Sequence, residues 1–524
     1  MSDPTDHSSE PIAPKPVAVI DVGTSSIRMA IAELHSSGTV RTLETLTQGV
    51  SLGKDTFTSG EIARSTIKEC VSVLKRYRKT LEEYRIVAAD QIRVVATSAV
   101  REATNRLAFL DRIYVATGLT VEPIDTAEVH RIAYRSIQPQ LRNSRDLMKS
   151  RVVITEVGGG STELLLVENG EVAYSHSYRL GSLRLHESLS EYRASPDKIR
   201  ELMESQIRRT LEQLPQHVDV DVRSEMIALG GDMRFAAREL LRNWDPQTLA
   251  RITVAQLGKL AYSILELSPD EVVRKYRVTF QEAETLGPAI LVYLELARLL
   301  DLNRVLVSNA NLRDGLLQEM ATADIWTDDF RNQIVRSALD LGRKYHFDEK
   351  HSVHVAKLSQ ALFVSLASEH QLDSRAGLIL QIAALLHEIG SFVSHSSLHK
   401  HSMYLILNSE VFGLTRDDLT LVALVARYHR RATPKPIHPN FNSLNRDQRV
   451  AVSKMAAILR IADALETSRS QRIREMRCEI ESDRLIITVP GLRDVSVEQL
   501  AMRQAQTLFE EIFGLRVMLR AGLR

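Results

Sequence analysis

Apolar positions along this chain change rhythm twice. From Val17 to about residue 325, short runs of apolar and β-branched residues alternate with amphipathic stretches, the pattern of an α/β fold. The spacing predicts strands at Val17–Asp21, Ile27–Ala32, Ile92–Thr97, Val121–Ile124, Glu225–Leu229 and Arg304–Ser308. It predicts helices over Ser59–Tyr84, from Ser98 onward, from a cap at Asp125 or Thr126, over Asp197–Gln213 and through Phe280–Leu300. From Trp326 to Ser470 the pattern is almost continuous helix. The tail reads as strand (Leu485–Val489), helix (Val495–Phe513) and strand (Leu515–Leu519), a small α+β unit. Residues 1–16, rich in Ser, Asp and Pro, are expected to form a disordered leader.

One stretch stands out within the first region. Val152–Glu168 (VVITEVGGGSTELLLVE) is a buried strand, a triple-glycine turn with hydroxyls, and a departing strand. Glycines bring backbone N–H groups close to a ligand, and Ser161 and Thr162 add hydroxyl donors, so the loop suits a phosphate. Glu156 and Glu163 at its shoulders would repel that anion unless they hold a divalent cation or activate a water. The competing reading is a glycine-rich hairpin turn with no ligand. A similar strand–turn–strand opens the ordered chain: set without gaps, Asp21-Val22-Gly23 falls on Glu156-Val157-Gly158, a repeat of about 135 residues. Two lobes, each presenting a phosphate loop to a shared cleft, are the expectation. Thr97 and Arg101 sit at a strand-to-helix junction, where helix amides favour an anion. Gly230 and Gly231 form a third glycine turn at a strand end.

Composition narrows the class. With 524 residues, 44% hydrophobic and 25% charged, the chain is an ordinary globular protein long enough for several domains. Lys+Arg 67 against Asp+Glu 66 excludes a globally basic nucleic-acid binder but leaves room for a local anion groove. Two cysteines give neither a disulfide framework nor a zinc cluster, so a reducing cytoplasm is expected. No apolar run reaches membrane-spanning length.

The ordered segments AVIDVGTSSIRMAIAE, RVVATSAVREATN, VVITEVGGGSTELLLV, LGGDMRFAA and VLVSNANLRDGLL resemble the Ppx/GppA exopolyphosphatase and guanosine-pentaphosphate phosphohydrolase family. LLHEIGSFVSHSSLHKHSMYLILNSEVFG and LVARYHRR extend the resemblance into the helical half. It implies two lobes of the actin/Hsp70/sugar-kinase type (RNase H-like) at 17–135 and 136–325. An all-α HD-like domain at 326–475 and a small α+β domain at 476–524 would follow. It also implies Mg²⁺-assisted attack of water on a terminal phosphoanhydride of inorganic polyphosphate or guanosine pentaphosphate, and a homodimer through the helical half. Neither a nucleic acid nor a membrane is an expected partner. Carried over, Asp21, Gly23, Thr24 and Ser26 form the first phosphate loop, and Gly158, Gly159, Gly160, Ser161 and Thr162 the second. Arg101 contacts phosphate oxygens, Asp21, Glu156 and Glu163 hold Mg²⁺, and Glu163 alternatively orients the water.

Departures bear on activity. The family's catalytic Glu lies two residues before the Arg that falls on Arg131, and here that position is Val129. Glu128 is the neighbouring carboxylate, but one residue turns a helix by roughly 100°. Glu156 replaces an Asp, Gly231-Asp232 a Gly-Thr, and Asn309 and Asn311 an Asp and a Gly. In the helical half, His351, His387-Glu388 and Asp463 follow the order of the HD phosphohydrolase tetrad, with His401 and His429 where two-metal members place ligands, a possible second divalent-metal site. Three readings stay open: an exopolyphosphatase-type hydrolase, a catalytically impaired polyphosphate or (p)ppGpp binding protein, and an actin-fold kinase.

Overall fold

The computed structural model describes residues 14–522 apart from 36–37, 191, 193, 215–217, 219–221, 223, 323–326 and 431. The chain folds as two compact units, 1–325 and 326–524.

The first unit holds two sheets. The first comprises β1 (Lys15–Val22), β2 (Ser26–Leu34), β3 (Val40–Gly49), β4 (Ile92–Ala96) and β5 (Val121–Pro123) in the order β3-β2-β1-β4-β5. The second comprises β6 (Arg151–Val157), β7 (Thr162–Glu168), β8 (Glu171–Tyr178), β9 (Ser224–Leu229), β10 (Ala250–Thr253) and β11 (Arg304–Val307) in the order β10-β11-β9-β6-β7-β8. Both sheets are an antiparallel three-strand meander continued by two parallel strands, with β10 added antiparallel on the edge of the second. The weak sequence repeat is therefore a repeat of topology. Asp21 on β1 pairs with Arg28 on β2, and Glu156 on β6 pairs with Glu163 on β7, so equivalent positions carry opposite charge patterns.

Central strands are apolar on both faces because helices cover both sides; Val152, Val153 and Ile154 are buried. Helix Phe280–Leu299 is buried almost all round, with Tyr293 at its centre. Helices Thr126–Arg142 and Leu312–Ala321 cross at Gly315, where an added Cβ would lie 2.4 Å from the Ile132 carbonyl oxygen.

Several expectations are corrected. β1 starts at Lys15, inside the expected leader, and residues 1–13 lie outside the described residues. The expected lobe boundary at 135/136 falls within the continuous helix Thr126–Arg142. The helix expected over Ser59–Tyr84 starts later, at Arg64, and runs to Glu83; a separate helix, Leu52–Ser59, precedes it and ends where Gly60 takes φ +80°. Strands β3 and β8 escaped the reading because polar residues fill much of both, leaving no apolar run to detect.

The second unit contains helices Asp328–Lys344, Glu349–Ser365, Ser374–Leu386, Leu398–Leu407, Arg416–Arg427 and Arg446–Leu465. A sheet of β12 (Arg477–Glu481), β13 (Arg484–Pro490) and β14 (Arg516–Gly522) follows, with helix Ser496–Phe513 as the crossover between the parallel pair β13 and β14. That helix packs on Arg446–Leu465, so sheet and bundle share one unit.

Gly315→Ala should destabilise the first unit by about 1–3 kcal/mol, because the opposing atom is main chain and cannot swing aside. The check is the urea midpoint; an unchanged midpoint would mean the helices separate without cost.

Candidate active site: two turns around one cavity

β1 and β6 each end in an acid and a turn, and the same hydrogen bond closes both: Gly23 N–H to the Ser26 carbonyl (3.0 Å) and Gly158 N–H to the Ser161 carbonyl (2.8 Å). A helix start then holds each turn from behind. In the first lobe, Gly53 N–H donates to the Thr24 carbonyl (2.8 Å) and Val50 N–H to that of Ser25 (3.0 Å). In the second, Ser182 N–H donates to the Gly158 carbonyl (2.9 Å) and Arg184 N–H to that of Gly159 (3.0 Å), while Arg184 Nε takes Gly160 (2.9 Å). With the carbonyls consumed, the turns' donors are left to serve something else; among the described residues the Gly159 N–H has no protein partner.

The turns face a single cavity of about 560 Å³. Asp21, Gly23, Thr24 and Ser26 line it from the first lobe, with Thr97 and Arg101 from the next strand end. Glu156, Gly158, Gly159, Ser161 and Glu163 line it from the second lobe, with Gly230 and Gly231. Gly230 needs its φ of +102°, and a Cβ there would meet the Tyr293 hydroxyl at 2.9 Å. It opens helix Gly231–Leu240, whose N-terminus faces the cavity.

Three expected site residues do not line it. Glu128 bonds back to the Asp125 N–H (3.1 Å) in a capping box, and Val129 occupies the wall instead. Thr162 is buried with its hydroxyl on the Leu180 carbonyl. Gly160 packs against Phe57 and Ser98, where a Cβ would sit at 2.5–2.6 Å. Gly159 likewise presses on Thr24, at 2.7 Å. Gly159 and Gly160 therefore serve close approach between the lobes; none of the three glycines of this turn has positive φ.

The structure adds charged groups that were not among the expected site residues, although Asp232 stood out as a departure from the family pattern. Arg28 and Arg313 flank Asp21 at 3.9 and 3.7 Å, and Arg234 and Asp232 lie on the cavity wall. A signal for Arg28 was available: a charge inside an otherwise apolar strand. Burial pushes the Asp21 carboxyl up against the opposing pull of Arg28 and Arg313. Burial also raises Glu156, Arg234 opposing and the Asp21 charge adding to it. Asp232 is pushed up to about 7, chiefly by burial, with Arg28 and Arg234 pulling the other way. Burial lowers the Arg234 and Arg313 guanidinium values.

Glu163 differs. His130 Nε2 contacts one of its oxygens (2.8 Å), and Ser161 and Ser177 hydroxyls donate to the other (2.7 and 3.0 Å). Burial pushes this carboxyl up, but the three partners hold it below the usual value overall. His130, hidden on the buried side of its helix beside Val129, offered no sequence signal.

Against this geometry, the family model described as the Ppx/GppA phosphatase family matches residues 17–323, and Ppx/GppA phosphatase domain III matches residues 335–508. The chain belongs to the Ppx/GppA phosphatase family. It is similar to the guanosine-5'-triphosphate,3'-diphosphate pyrophosphatase of Vibrio vulnificus, 23% identical over 479 residues, covering 90% of this chain and 91% of the relative. The corresponding Photobacterium profundum protein is 22% identical over 512 residues, covering 94% and 97%. An exopolyphosphatase structure from Cytophaga hutchinsonii matches with a TM-score of 0.53 at 22% identity, over 59% of this chain and 98% of that one, a likeness of fold. The Ppx/GppA match thus accounts for the mixed α/β architecture and places the chain among phosphohydrolases by family.

In the second unit, His351, His387 and Asp463 converge, their ligand-capable atoms within 4.8 Å of one another. Glu388 instead pairs with Arg469 at 2.6 Å. His429 stands edge-on to His387, ring centroids 5.0 Å apart, and His401 is outside the group.

Glu163→Ala leaves His130 and two hydroxyls without their carboxylate, an expected loss of about 2–5 kcal/mol read as a lower Tm. Glu163→Gln should lose less. Because the folded carboxyl lies below its usual 4.5, its contribution is complete above that pH and lost as pH falls through the folded value. The Tm gap between wild type and Glu163→Gln should therefore close in acid.

Proposed function

We propose that this protein hydrolyses a terminal phosphoanhydride, releasing orthophosphate from inorganic polyphosphate or guanosine pentaphosphate. The observation that carries the reading is the pair of tied-back turns on one cavity, with Arg28, Arg101, Arg234 and Arg313 around it. Fixed amides, hydroxyls and guanidinium groups offset charge on a phosphoryl group in flight without reorganising. The names of the Vibrio, Photobacterium and Cytophaga relatives support the same substrate class.

A divalent cation such as Mg²⁺ fits the donors present at Asp21 and Glu156. Asp21 Oδ1 is buried without a hydrogen-bond partner among the described residues, and each carboxylate raises the case for a shared counter-charge. When bound, it would neutralise phosphate charge. Glu163 is a weaker ligand candidate, since both its oxygens already have partners.

With valine at position 129, the proton of the attacking water needs another acceptor. Asp232 is that acceptor in this reading: a cavity carboxylate titrating at about 7 matches a general base at neutral pH. Water oxygen bonds to the terminal phosphorus, the bridging P–O bond breaks, the shortened chain keeps the bond electrons, and the proton goes to Asp232. A second reading, binding without hydrolysis, is favoured by Val129 in the wall together with the saturated Glu163.

Phosphate release from polyphosphate and from guanosine pentaphosphate, measured with Mg²⁺ across pH, tests both. The expected rate rises with pH through about 7, as Asp232 loses its proton. Asp232→Asn should lower kcat by about 10²–10⁴-fold and remove that rise. Tight polyphosphate binding with no release at any pH would favour the second reading, and an unaltered profile in Asp232→Asn would remove Asp232 from the mechanism.

A further inference from the structure

Within the second unit, helices Glu349–Ser365 and Arg446–Leu465 and the end of helix Ser374–Leu386 bring three metal-competent side chains together. His351 and His387 are buried, and His351 Nδ1, His351 Nε2 and His387 Nε2 have no hydrogen-bond partner among the described residues. Three unpaired imidazole nitrogens in one buried cluster are costly and call for a ligand. The His387 Nδ1 faces the Ala384 carbonyl at 2.7 Å, which can only accept, so the proton sits on Nδ1 and the Nε2 lone pair is free. His429 is oriented in the same way by the Ala426 carbonyl at 2.5 Å.

The separations are informative. Both imidazoles approach one oxygen, Asp463 Oδ1, with His351 Nε2 at 3.5 Å and His387 Nε2 at 3.6 Å. A histidine–carboxylate hydrogen bond in this protein closes to 2.8 Å, as His130 and Glu163 do. For ligands about 2.0–2.2 Å from a tetrahedral ion, neighbouring ligand atoms stand about 3.3–3.6 Å apart. Both imidazole-to-carboxylate separations therefore match ligands around an ion rather than hydrogen-bonded partners, and all three ligand-capable atoms lie within 4.8 Å of one another. Asp463 remains partly exposed, so one side is open to solvent. Glu388, whose Oε2 stands 3.8 Å from His351 Nε2, is held by both oxygens on Arg469 (2.8 and 2.6 Å), so Asp463 is the carboxylate that both imidazoles approach. One turn further along, His354 Nε2 and Glu466 Oε2 stand 3.5 Å apart, but that pair has no third ligand-capable group grouped with it among the described residues.

We propose that His351, His387 and Asp463 hold a single first-row divalent metal ion of the zinc class, with a fourth, solvent-facing position for water. Imidazole and carboxylate donors select such ions over Mg²⁺, so this centre is chemically distinct from any cation in the cavity of the first unit.

The test uses the full chain stripped with chelator, supplied with Zn²⁺ alone, desalted and assayed for metal by mass spectrometry. Wild type and Glu163→Gln are expected to retain one zinc per chain, and His387→Gln and Asp463→Asn to bind at least about tenfold more weakly. Wild type without zinc, or variants retaining as much as wild type, overturns the proposal. Should a variant fail to fold, stripped wild type decides the matter: its Tm must rise on zinc addition, and no rise overturns the proposal.

Discussion

Everything in the first unit depends on where the carbonyls of two turns point. A strand–turn–strand of this shape exposes donors and acceptors alike, and an anion site needs only the donors. Here a helix start supplies N–H groups to Thr24, Ser25, Gly158 and Gly159, and Arg184 takes the Gly160 carbonyl. That satisfies backbone groups that would otherwise repel a phosphate, and it fixes the turns at the mouth of the cavity. The same device appears in both lobes because both carry the same order of strands, with a helix start following the third strand.

The lobes are alike in topology and unlike in charge. Asp21 faces Arg28 across its strand pair, whereas Glu156 faces Glu163. The charges are balanced across the lobes as well as within them: Arg28 and Arg313 sit by Asp21, and His130 with two serines engages Glu163. The lobes also meet closely. Arg184 reaches across to Glu102 with both oxygens engaged and lies over the Phe57 ring at 4.2 Å. Glycine at 159 and 160 is what lets the second turn approach Thr24 and Ser98.

Much of this was legible in the sequence for a physical reason. Buried central strands read as apolar runs, and a turn that must approach something closely reads as glycine. The echo between Asp21-Val22-Gly23 and Glu156-Val157-Gly158 located both turns. What sequence could not carry was side-chain direction. Glu128 and Val129 are adjacent, and only the capping box at Asp125 decides that valine, not glutamate, meets the cavity. His130 was missed, and Asp232 was read only as a departure, because their environments arise from burial and from partners distant in sequence. In the second unit the order of histidines was visible, but only the fold groups His351, His387 and Asp463 and pairs Glu388 with Arg469.

The central claim is that both turns offer their donors to one anion. Amide hydrogen exchange with and without polyphosphate tests it most directly, following peptides that span residues 21–26 and 156–163. The expected result is simultaneous protection of both segments at the same ligand concentration. Protection of one turn without the other, or of neither while polyphosphate binds elsewhere, would contradict it.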